Sequence, residues 1–183
     1  RKIRMSADVH RLLARATGAL CEKLQILLPS LEENWWLRRV IGKLSFQQQQ
    51  HVERRGITQL DQLDLAALLR IVDQNCYDLA QAHNWPFEGR NFVKEMQTVR
   101  NRWAHAQVAA VSNEDIYRDL DTLQRFLSCI APDEQVLSEI REVKDTVLSN
   151  TTTPDTSNLS SSETKYAPGD IVRLRANPNK SGP

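Results

Sequence analysis

Three cysteines, six glycines and seven prolines are spread thinly over 183 residues, and each scarcity removes a class of protein. Cys21, Cys76 and Cys129 are odd in number, far apart and set beside apolar neighbours, which argues against a disulfide framework and against a zinc site. They fit a reducing interior, so a cytoplasmic setting is expected. The glycines never cluster, and the chain holds no Gly-rich phosphate loop, no nucleophile elbow, no HExxH and no pair of cysteines at ligand spacing. Most familiar enzyme chemistries go with them, and neither cofactor nor metal is expected. The apolar runs are too short, and too often broken by charge, to span a bilayer, and no basic segment followed by an apolar one opens the chain. No repeat of fixed period is visible, which argues against a solenoid. The net charge of +1 does not mark a general nucleic-acid binder.

What the chain does have is 40% apolar residues, enough for a core, arranged at helical spacing. A first helix is predicted from a cap at Ser6 to Leu28, with Val9, Leu12, Leu13, Ala16, Leu20, Leu24 and Leu27 on one side and Pro29 as its stop. Trp35, Trp36, Val40, Ile41 and Leu44 form a second cluster that runs into the exposed tract Gln47–Gln50 and ends near Gly56. The tryptophan pair reads as core, since large rings gain most by burial. Asp64 caps a third helix through Leu65, Leu68, Leu69, Val72, Cys76 and Leu79 to about His83. Asn84 to Gly89 reads as a loop in which Pro86 blocks helix and Gly89 is free to take unusual dihedrals. After a fourth helix, Ser112 with Asp115 resembles a capping box ahead of Ile116, Leu120, Leu123, Leu127 and Ile130. A last helix starts around Pro132 and reaches Leu148. The expected fold is all-α, an antiparallel bundle of about six helices over 1–148. A Ser/Thr-rich linker is expected over 149–165, and the start of a truncated small β-barrel over 166–183. Because the chain opens on Arg1 and stops within NPNKSGP, it is expected to be part of a longer protein.

The fourth helix, in NFVKEMQTVRNRWAHA, holds the informative residues. Phe92, Met96, Val99 and Trp103 make a core stripe, while Asn101 and His105 sit one turn apart on the far side, with Arg100 and Arg102 on the two flanks. Arg100, Asn101 and His105 suit metal-free cleavage of RNA, in which the 2′-hydroxyl attacks the adjacent phosphate. The imidazole would move the proton, the guanidinium would offset charge on the phosphorane, and Asn101 would orient phosphate or imidazole. Arg102, Arg38 and Arg39 are the accompanying candidates for RNA contact, against a plain reading in which such basic clusters are simply solvated. By spacing alone the motif carries little weight, because Arg4 and His10 form another such pair with nothing around it to support chemistry. Five helical residues also turn Arg100 and His105 about 140° apart, too far to grip one phosphate. Either the helix breaks near Trp103, or two copies pair so that Arg100 of one meets His105 of the other.

These residues resemble the HEPN superfamily, whose hallmark is an Arg, a polar residue, a short spacer and a His. The similarity is to the branch typified by the C-terminal domain of a nuclear transcript-surveillance endoribonuclease. It rests on Trp35-Trp36, on Leu63-Asp64 through Leu69, on VRNRWAHA and on SNEDIYRDLDTLQRFL, and it spans roughly Val9 to Ile140. The resemblance implies a helical bundle that homodimerises through the motif helix and, in active members, a composite metal-independent ribonuclease site. It equally implies relatives that act only as dimerisation or RNA-binding modules of larger proteins, some tied to phage defence. YAPGDIVRLRANPNKSGP is similar to the start of SH3-like barrels that precede helicase-type ATPase domains.

Overall fold

The apolar stripes become six α-helices in a computed structural model that describes residues 2–86, 88–105 and 111–151. They are α1 (Lys2–Leu31), α2 (Phe46–Arg55), α3 (Leu65–His83), α4 (Gly89–His105), α5 (Asn113–Ile130) and α6 (Glu134–Thr151), with no strand among the described residues. Polar pairs between helices give the directions. Asp64 meets Arg100 while Asp73 meets Lys94, so α3 and α4 run antiparallel. Arg102 meets Asp119 while Arg125 meets Glu95, so α4 and α5 do too. Met5 meets Asn150 while Arg15 meets Glu139, which makes α1 and α6 antiparallel. Leu12, Leu20, Leu24, Leu68, Ile71, Met96, Leu120 and Phe126 fill the centre and are fully buried. The fold is an all-α helical bundle; the expected linker beyond Thr151 and the expected β-barrel start at 166–183 lie outside the described residues.

Several boundaries differ from the sequence expectation. α1 begins at Lys2, so Ser6 is interior rather than a cap; Met5 extends the Val9–Leu12–Ala16 stripe, is buried, and lies 3.8 Å from the Asn150 amide of α6. Pro29 does not stop the helix, which runs on to Leu31 while the Ser30 hydroxyl donates to the Leu27 carbonyl at 2.7 Å. Trp35 and Trp36 lie at the edge of the core, half-buried, with ring centroids 5.8 Å apart and planes at 88°. Trp36 opens a short π-helical segment, Trp36–Val40, which a 3-10 turn, Ile41–Lys43, follows. The glutamine tract is the helical end expected of it, the capped first turn of α2. Ser45 and Gln48 form a reciprocal capping box, and Gln49 donates to the Ile41 and Leu44 carbonyls.

Gly89 owes its place to packing and not to dihedral freedom, since a Cβ there would sit 3.2 Å from Ile130 Cδ1. The left-handed position in that connection is Asn84, at φ 52°, where it caps α3. α6 is capped by Asp133, which accepts from Val136 N–H at 3.0 Å, leaving Pro132 just outside the helix. Ser112 caps α5 as expected, accepting from Asp115 N–H and donating to its carboxylate.

Candidate functional site

Val93, Met96, Val99 and Trp103 are the buried face of α4, with Val93 taking the deep position expected of Phe92, which is half-buried. That face turns Asn101 and His105 outward, and both are exposed. Arg100 is only 29% exposed because it lies back across α3. Its Nη2 donates to Asp64 Oδ2 at 2.9 Å and its Nη1 to Asn101 Oδ1 at 3.4 Å. Asp64 Oδ1 meanwhile accepts from Ala67 N–H at 2.9 Å, so one carboxylate both caps α3 and holds the motif arginine. The two roles separate by substitution. Asp64→Ala is expected to cost about 1 kcal/mol in urea unfolding, whereas Asp64→Asn, which still caps, is expected to cost under about 0.5 kcal/mol because the ion pair is solvent-exposed.

Arg102 sits on the other flank. Its Nη1 donates to Asp119 Oδ1 at 2.8 Å while the Trp103 indole N–H donates to Asp119 Oδ2, also at 2.8 Å. Burial pushes the Asp119 carboxyl above its ordinary range, and the Trp103 N–H and the Arg102 charge pull it down without cancelling that rise. Arg39 is likewise occupied, bonded to Glu32 at 2.6 Å and to Asp78, while its carbonyl accepts from Asn75. Arg38 is the open one of the three proposed RNA contacts, 71% exposed and 3.5 Å from Glu32. His10 of the rival Arg4–His10 pair stands edge-on to the Trp103 ring at 5.4 Å, a packing role.

α4 runs unbroken from Gly89 to His105, so the helix does not bend near Trp103 to bring His105 round. The structure thus brings Arg100 and Asn101 together and leaves His105 outside that group, with no hydrogen-bond partner among the described residues. Beside Arg100 and Asn101 opens a pocket of about 260 Å³ whose wall also includes Ser45, Gln48, Arg70 and Gln97. These polar neighbours are not singled out by the sequence reading. Asp73 and Asp119 are missed as well, although each left a trace: Asp119 falls between Ile116 and Leu123, and Asp73 between Leu69 and Cys76, at helical spacing on an apolar face. No helix among the described residues is long and apolar enough to cross a membrane.

Among known families, the model described as Swt1-like HEPN matches residues 20–131. Those residues run from the second half of α1 through α5 and contain Arg100, Asn101 and His105. No curated protein and no solved structure matches.

Proposed function

The chain belongs to the Swt1-like HEPN family, and from that premise we propose that it is a metal-independent endoribonuclease module working as a symmetric dimer. The observation that carries the reading is the placement of the motif on α4, with Arg100 at a polar pocket and Asn101 and His105 exposed on the face turned away from the core. On an unbroken helix Arg100 and His105 stand about 140° apart, so one phosphate reaches both only when a second copy supplies one of them. In that site the 2′-oxygen attacks phosphorus, its proton passing to the His105 imidazole, and the 5′-oxygen leaves with the proton that this imidazolium returns. The products are a 2′,3′-cyclic phosphate and a 5′-hydroxyl. Arg100 stabilises the charge that builds on the phosphorane oxygens, and Asn101 orients the phosphate. The Asp64 partner does not bar this role, because an ion pair with Asp64 61% exposed is worth about 0–1 kcal/mol and a phosphate can displace it.

That same pair favours a second reading. An arginine already neutralised by a carboxylate suits a non-catalytic dimerisation or RNA-binding module of a larger, helicase-bearing antiphage or RNA-surveillance protein. Cleavage decides between them. Single-stranded RNA incubated with the chain in excess EDTA is expected to yield 2′,3′-cyclic phosphate ends. A substrate with 2′-deoxy residues at the cut positions is expected to stay whole. If RNA stays intact, or if the deoxy substrate is cut equally, the ribonuclease reading fails.

A further inference from the structure

A larger pocket, about 680 Å³, opens elsewhere along the groove between α3 and α4, with Asp73, Gln74, Tyr77, Gln81, Arg90 and Asn91 in its wall. Two of its side chains are unusual. Asp73 is 7% exposed; its Oδ2 accepts from Lys94 Nζ at 2.6 Å, but its Oδ1 is buried with no hydrogen-bond partner. Arg90 Nε lies 3.6 Å from that oxygen, close enough for charge attraction and too far for a hydrogen bond. Burial pushes the Asp73 carboxyl up, but the hydrogen bond and charge of Lys94, helped by Gln74 and Arg90, more than reverse it. Asp73 is therefore ionised at neutral pH, and Oδ1 can only accept. Tyr77 is 78% exposed, which leaves its ring free as a flat surface.

The combination narrows the ligand. It must carry an N–H or O–H for Asp73, a flat apolar face for Tyr77, and negative charge for Arg90, whose side chain is 65% exposed. A cationic peptide would supply the donor but be repelled by Arg90 and Lys94, and a simple anion would lack the donor. An unpaired nucleotide in a strand has all three: amino edge, aromatic ring and phosphodiester. The pocket also lies in line with the motif. Arg90, Lys94, Gln97 and Asn101 follow one another at spacings of four, three and four along α4, and therefore share one face. At about 1.5 Å per residue, Arg90 stands about 15 Å from Arg100, a span of a few nucleotides.

We propose that this pocket is a nucleobase subsite for the strand that reaches Arg100. Tyr77 stacks an unpaired base, Asp73 Oδ1 accepts from its exocyclic amino group, and Arg90 holds the neighbouring phosphate. Adenine, cytosine and guanine reach that oxygen with an exocyclic amino group, whereas uracil offers only a ring N3–H set between two carbonyl oxygens that the carboxylate repels, so the subsite discriminates against uracil.

The proposal rests on the RNA reading above but is tested without cleavage. Fluorescence anisotropy with 2′-O-methyl hexanucleotides, which the 2′-hydroxyl mechanism cannot cut, measures binding by the full chain. Oligo-A and oligo-C are expected to bind about 5-fold or more tighter than oligo-U. Tyr77→Ala is expected to weaken oligo-A and oligo-C by about 5- to 150-fold, with Tyr77→Phe close to wild type. Circular dichroism checks that both variants fold, which the exposure of Tyr77 predicts. Equal binding of oligo-U and oligo-C, unchanged affinity in Tyr77→Ala, or no binding of any hexamer overturns the subsite, whatever the cleavage assay gives. Discrimination that persists in a chain unable to cut RNA upholds the subsite and sinks the nuclease alone.

Discussion

Alanine at Arg100 and alanine at His105 should each lower RNA cleavage by about 10²- to 10³-fold, and an equimolar mixture of the two chains should recover about a quarter of the wild-type rate. The recovery follows from the geometry of α4, which holds Arg100 and His105 on different sides of one unbroken helix. If each site takes Arg100 from one copy and His105 from the other, random pairing makes half of the dimers mixed. Each mixed dimer keeps one intact site of two. A site built within one chain predicts no recovery at all, since neither variant carries both groups. Arg100→Lys separates charge from geometry: it keeps the cation but loses the fork that holds Asp64 and Asn101 together, so it should remain well below wild type. Recovery in the mixture with no dimer in light scattering at the same concentration would contradict the shared site.

The core of this fold was legible because it depends on spacing alone. Met96, Val99 and Trp103 recur at helical intervals and are buried, and Asp64 and Ser112 cap the helices their positions announced. What was not legible depends on partners distant in the chain. Ser6 has the chemistry of a cap, but the helix starts at Lys2, and Met5, ahead of Ser6, is buried and meets Asn150 across the bundle. Pro29 has the chemistry of a stop, yet the helix runs two residues past it to Leu31, with the Ser30 hydroxyl satisfying the Leu27 carbonyl near the helix end. The motif divides the same way. That Asn101 and His105 face outward follows from the period of α4, whereas the Arg100–Asp64 and Arg102–Asp119 pairs join residues 36 and 17 positions apart and leave no local mark. Arg102 and Arg39 were read as open cations for RNA, and the structure gives both carboxylate partners, leaving Arg38 the most accessible of the three.

Removing Asp119 should be the costliest single polar substitution in the motif region, about 2–4 kcal/mol for Asp119→Ala in urea unfolding. Its two oxygens serve two donors, Arg102 and the Trp103 indole, and Trp103 is 3% exposed, so no water replaces the lost acceptor. Asp119→Asn keeps one amide oxygen and should cost less, about 1–2 kcal/mol, because burial already works against the charge that the substitution removes. The raised carboxyl gives this comparison a sign. A group whose folded pKa lies above its unfolded value contributes stability that is full below the unfolded value and is lost as pH rises through the folded one. The advantage of wild type over Asp119→Asn should therefore narrow as pH rises above the ordinary aspartate range. A gap that widened instead would mean that Arg102, and not burial, governs the carboxylate. Trp103→Phe combined with Asp119→Ala should cost less than the sum of the two single changes, because with the indole N–H gone no buried donor is left stranded. The consequence for chemistry lies two residues further on. This triangle ties the last turn of α4 to α5, and His105 is the residue that turn presents. Amide exchange in Asp119→Ala should accordingly accelerate at Trp103–His105 more than at Val93–Met96, and any RNA cleavage should fall with it.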